Sequence, residues 1–248
     1  MQHFRLNEIV ETETNKTAQA KESLKPVPKL GFRRFSAVQL LIALGLFFIW
    51  APFVEEIEGG DLIVSGLFSL VLLAAVVAVA DSKRVLVIAI VLAIPAIAGR
   101  WINHFRPDLI PPAVFLASGL ILIAFVVGNL LRFVFRAPSV NTEVLCASIS
   151  AYLMLGLMWT MAYWLVDQLT PGGAFSYNTN AETRSMNGFT GFYFSFITLS
   201  TVGYGDITPV SRIARWLAAI EAMTGLLYVA VLISRLVSLY STPKSDDS

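Results

Sequence analysis

The run Thr201, Val202, Gly203, Tyr204, Gly205, Asp206 sets a glycine at alternate positions. Glycine accepts backbone angles that a residue with a Cβ resists, so such a run can turn successive carbonyl oxygens toward one axis while side chains point away. Carbonyls gathered this way substitute for the hydration shell of a bare cation. That is a chemistry of ion coordination, not of bond making. The stretch before it, Asn187–Ser200, is uncharged, aromatic and glycine-bearing. Backbone facing lipid must satisfy its own hydrogen bonds, so residues 185–205 read as a re-entrant loop sheltered by protein or lining a water-filled path, not as a spanning helix.

A loop of that kind has to be held by helices that cross the bilayer, and the composition provides for them. The chain is 56% hydrophobic and 14% charged, against about 25% charged in an ordinary soluble domain. A bilayer core of about 30 Å requires about 20 apolar residues in a helix. Uncharged runs mark Phe35–Val54, Leu62–Ala80, a short Val85–Gly99, Leu109–Leu131 and Val144–Val166, and a further run, Trp216–Ser234, is interrupted only by Glu221. These six spans put both ends of the chain on one side. With that side cytoplasmic, thirteen of the eighteen basic residues fall inside and five (Arg100, Arg106, Arg184, Arg212 and Arg215) fall outside, as the positive-inside bias requires. The acidic turn Glu55–Asp61 then lies outside. The first apolar run begins too late, and runs too long, for a cleavable signal peptide.

The residues Thr198–Asp206, TLSTVGYGD, resemble the signature of the potassium-channel superfamily, and the resemblance covers about Val144–Tyr240. Its nearest form is the bacterial pore-domain channel, here with six transmembrane helices and no voltage-sensor arginines. The implied fold is an all-α integral membrane protein: a four-helix membrane region over 35–136, then an outer helix, a re-entrant pore helix with filter loop and an inner helix over 142–240. Residues 1–34 and 241–248 are expected as cytoplasmic polar tails. The resemblance implies that carbonyls of Thr201, Val202, Gly203 and Tyr204 bind K+, with Gly205 completing the filter and the Thr201 hydroxyl serving the innermost site. A pore helix over about Gly188–Ser200 would point the negative end of its dipole at the central cavity. Asp206 would sit at the outer mouth. It implies K+ as the permeant ion with no cofactor, and identical subunits arranged as a homotetramer in the plasma (cell inner) membrane, in contact with lipid.

Two positions depart from the family pattern. Ile197 stands where some relatives carry a glutamate that braces the aspartate after the filter, and Phe194 stands where a tryptophan often donates to the filter tyrosine; phenylalanine has no donor. Tyr193 can reach toward Asp206 instead. Ser200 replaces a more usual threonine. Gly225 matches the family's bending point in the inner helix, where glycine lowers the cost of a bend; close helix packing is the alternative reading. Glu221, one turn earlier, is the lone ionisable residue inside a span. It would lend negative potential, respond to protons, or form a structural hydrogen bond to the back of the pore helix, the reading favoured here.

Other features narrow the function. Leu109–Leu131 lacks the spaced positive charges of a voltage sensor, so weak voltage dependence is expected; Arg132 and Arg136 read as interfacial anchors. Pro95 implies a kink, and Pro111 with Pro112 a helix start. His104 reads as a solvated residue of an outer loop rather than a sensor of external pH, and His3 lies in the tail. Cys146 reads as a small apolar helix residue. Net charge is +1 with no basic patch, which leaves nucleic-acid binding unsupported. No catalytic arrangement, metal motif or phosphate loop is present to suggest an enzyme. A non-conducting regulatory subunit is the rival reading, and an intact TVGYG ring argues against it.

Overall fold

A computed structural model of the chain describes residues 36–54, 57, 59–80, 82–106, 108–109, 111–178, 186 and 188–240. The two expected tails, and Glu55, Glu56 and Glu58 of the acidic turn, lie outside them. Helix α1 is Ser36–Val54, α2 Gly60–Ala78, α3 Lys83–Phe105 and α4 Pro112–Arg136. They are followed by α5 Thr142–Leu169, strand β1 Phe175–Tyr177, the short helix α6 Gly188–Leu199, strand β2 Ile207–Pro209 and α7 Arg212–Tyr240. Six of these helices, all but α6, are long and apolar enough to cross a bilayer. The chain is therefore a multi-pass, all-α membrane protein.

Local chemistry sets several helix ends. Pro112 stands in the first turn of α4, after Pro111, where its missing N–H costs nothing and its φ suits a helix. Ser82 caps α3 by accepting from Val85 N at 3.3 Å, and Asn141 caps α5 by accepting from Val144 N at 2.9 Å. A cap of this kind contributes about 1 kcal/mol. With Glu143 in its first turn, α5 also meets the helix dipole favourably.

The third span is longer than the charge-bounded reading: α3 runs through Pro95 and on past Arg100 and His104 to Phe105. The charges that closed the run at Gly99 are absorbed by pairing. Arg100 donates to Asp61 at 2.6 Å and to Ser65 at 3.0 Å, and its guanidinium lies 5.9 Å above the Trp164 ring. His104 is thus not a solvated loop histidine: it sits in the last turn of α3, with Nδ1 2.7 Å from Asp61. A charged residue ends an apolar run in sequence but not a helix in space, once a neighbouring helix presents its partner.

Helices α1 to α4 pack in chain order, and α5 closes against both α4 and α1. Helix α6 lies between α5 and α7. Aromatic edges tie it to the bundle as well, with Phe48 of α1 4.7 Å from Phe192 and 5.0 Å from Phe196, ring centroid to ring centroid.

Candidate functional site

The functional module is built on α6, a twelve-residue helix too short to span. Two glycines let it approach its neighbours closely. A Cβ on Gly156 of α5 would meet the Phe196 ring at 2.2 Å, and a Cβ on Gly225 of α7 would meet the Leu199 carbonyl oxygen at 2.0 Å. Between α6 and α7, Glu221 and Gly225 face Ser195 and Leu199, so the two rungs of the contact lie one turn apart on both helices. Gly225 thus sits in close contact with the end of α6.

At the C-terminus of α6 the chain leaves helical geometry. Thr201 N donates to the Thr198 carbonyl at 2.9 Å, and Val202 N and Gly203 N both donate to the Ile197 carbonyl, at 2.8 and 3.1 Å. Ile197 therefore supports the loop through its backbone. Thr201, Gly203 and Gly205 have positive φ (60°, 54° and 79°), and Thr201 is the sole non-glycine residue with positive φ among the described residues. Val202 and Tyr204, between them, do not. A strand of single hand alternates its carbonyls from side to side, whereas a backbone of alternating hand turns successive carbonyls toward one side. All five residues are exposed on the single chain, Val202 at 53% and Tyr204 at 72%.

The segment after the loop is fixed by β2, which pairs antiparallel with β1 through Phe175↔Pro209, Ser176↔Thr208 and Tyr177↔Ile207. Asn178 N extends the ladder by donating to the Asp206 carbonyl at 2.8 Å. Asp167, near the end of α5, accepts from Ala174 N at 2.7 Å and Met186 N at 3.3 Å, pinning both flanks of the excursion that leads to α6. Burial, then the charge of Asp167, pushes the Tyr177 hydroxyl up to about 12. Partial burial raises the Tyr193 phenol as well, reinforced by a hydrogen bond to Asp206. Both stay neutral at ordinary pH.

Phe194 packs against α5 and β1. It is 3% exposed and packs 4.9 Å from the Tyr163 ring and 5.2 Å from the Phe175 ring, so an apolar residue suits the place where a donor is usual. The Ser200 hydroxyl bonds back to the Phe196 carbonyl at 2.6 Å. Glu221, 0% exposed, receives a hydrogen bond from Tyr163 and lies 2.6 Å from Ser195 Oγ. This is the structural bond to the back of the short helix that its position suggested. Sequence reasoning missed Gly156, Tyr163, Asp167 and Ser195. Only Asp167 left a trace, as the acidic residue that closes the Val144–Val166 run.

Six helices long and apolar enough to span, with a short apolar helix and a loop of alternating hand inserted before the last, define a multi-pass membrane protein. A family described as ion channel matches residues 152–242. The chain is 33% identical to Protein LctB of Bacillus caldotenax over 88 residues, which is 35% of this chain and 64% of that protein. It is 45% identical to Two-pore potassium channel 4 of Arabidopsis thaliana over 47 residues, 19% of this chain and 16% of that one. The inward rectifier potassium channel Kirbac3.1 of Paramagnetospirillum magnetotacticum is 36% identical over 52 residues, 21% of this chain and 18% of that one. The chain thus spans less than two thirds of the length of each of these relatives. No solved structure matches it.

Proposed function

We propose that the chain is one subunit of a potassium-selective channel that conducts K+ passively through a filter of Thr201, Val202, Gly203, Tyr204 and Gly205. The observation that carries this reading is the alternation of backbone hand at 201, 203 and 205, directly after a short helix held between α5 and α7. Carbonyls of Thr201 to Tyr204 turned to one side supply a quarter of a ring, so four identical chains close it. The negative end of α6 then faces the ion pathway, and Asp206 lies beyond the filter. Helix α4 carries Arg132 and Arg136 only in its last turns, and no charge before them. Conduction is accordingly weakly dependent on voltage. The assembly sits in the plasma membrane with both termini cytoplasmic, following the bias of its basic residues.

Purified protein in liposomes with an outward K+ gradient tests the reading. Flux of K+ well above that of Na+ is expected. Equal fluxes of the two ions, or none from a folded tetramer, reject it.

A further inference from the structure

Glu221 stands mid-way along α7 with no basic partner. The ion pairs among the described residues are Arg100 with Asp61 and His104 with Asp61. The titratable side chains near it are Tyr163 and Tyr152, both on α5, while α6 presents Ser195. A buried carboxylate with no cation is a costly arrangement.

Hydrogen atoms can be counted around it. The Tyr163 hydroxyl donates to Glu221 Oε2. Ser195 Oγ lies 2.8 Å from the Gly156 carbonyl oxygen and 2.6 Å from Glu221 Oε1. A serine hydroxyl has one hydrogen, and a carbonyl can only accept. With that hydrogen on the Gly156 carbonyl, the 2.6 Å contact is a hydrogen bond only when Glu221 supplies the proton. The Gly156 carbonyl also accepts from Thr160 Oγ1 at 2.9 Å, but an ionised Glu221 still leaves one of the two short contacts of Ser195 Oγ without a hydrogen. The acid form satisfies every group in turn: Tyr163 to Glu221, Glu221 to Ser195, Ser195 to Gly156.

We propose that Glu221 is a neutral carboxylic acid and a positioning residue: it closes a hydrogen-bond circuit joining α5, α6 and α7 behind the filter loop. Glu221, Ser195 and Tyr163 are all 0% exposed, so water does not compete for these bonds. The circuit is one rung of the α6 to α7 contact, and the Gly225 to Leu199 approach is the next. Moving Glu221 therefore moves the helix that ends at the filter. The functional consequence rests on the channel reading; the protonation state does not.

Wild type, Glu221→Gln and Ser195→Ala are compared by infrared difference spectroscopy at neutral pH and by K+ and Na+ flux in liposomes. The wild type is expected to show the carbonyl stretch of a protonated carboxyl that Glu221→Gln lacks. Glutamine offers an acceptor oxygen and a donor NH2 at the same places, so Glu221→Gln is expected to keep the K+ to Na+ flux ratio and a flat pH profile. Ser195→Ala strands the acid and is expected to lower the ratio roughly tenfold, on the scale of a lost buried hydrogen bond. Absence of the carboxyl band, loss of the ratio in Glu221→Gln, or an unchanged ratio in Ser195→Ala each overturns the proposal. The infrared reading needs no conduction. A wild type that carries the band and passes no ion therefore rejects the channel reading and leaves the protonation assignment intact.

Discussion

Two glycines that look alike in the sequence of spans have opposite surroundings. A Cβ on Gly225 would fall 2.0 Å from the Leu199 carbonyl oxygen, which is backbone and has nowhere to swing. A Cβ on Gly128 of α4 meets nothing within 4 Å. Gly225→Ala is therefore expected to force α7 away from α6 and cost about 1–3 kcal/mol, the usual range for overpacking. Gly128→Ala is expected to be neutral or slightly stabilising, since glycine weakens a helix interior by about 0.5–1 kcal/mol. Thermal unfolding of the two variants in one detergent checks both signs. Gly203 and Gly205 form a third case: a Cβ has open space, but their φ of 54° and 79° is unfavourable for it.

The elements around the short helix are linked at both ends. On one side the β1–β2 ladder and Asp167 hold the loops that enter and leave it. On the other, Arg235 near the end of α7 donates to the Ala137 carbonyl at 2.7 Å, in the five-residue connection between α4 and α5. This bond ties the inner helix to the four-helix bundle across 98 residues of sequence. Removing it by Arg235→Gln is expected to loosen the last turns of α7, seen as faster amide exchange over residues 229–235 with α5 unchanged. Equal protection in the variant would mean that the contact does not restrain the helix. Charge-assisted bonds of this type contribute about 1.5–3 kcal/mol.

Considered as one body, a single chain leaves apolar surface uncovered along residues 202–204 and α7. Val202, Tyr204, Trp216, Met223, Leu226 and Leu227 are all more than half exposed. Helices α1 to α4 also expose apolar side chains, as lipid-facing helices do. On the proposed reading, other copies of the chain cover the loop and α7. Native mass spectrometry of the detergent-solubilised protein is expected to show four copies of the 27.2 kDa chain; a stable monomer or dimer would contradict the assembly.

Length and polarity settle much of this protein before any packing is considered. A bilayer demands about 20 apolar residues per helix, so the spans stand out. A loop of alternating hand favours glycine at alternate positions, so Thr201–Gly205 stands out too, and a lone ionisable group within a span draws attention to Glu221. The extent of α3 was hidden because the charges of Arg100 and His104 ended an apolar run, while the carboxylate that accepts them lies 39 and 43 residues away. Three-residue strands are too short to carry a readable alternation. Tyr163 and Ser195 lie 58 and 26 residues from Glu221, and nothing in the sequence says that Gly225 lies against Leu199. Sequence reveals which group is expensive to bury, because that cost belongs to the group itself. Which distant groups offset it depends on how the helices pack, and only the tertiary structure decides that.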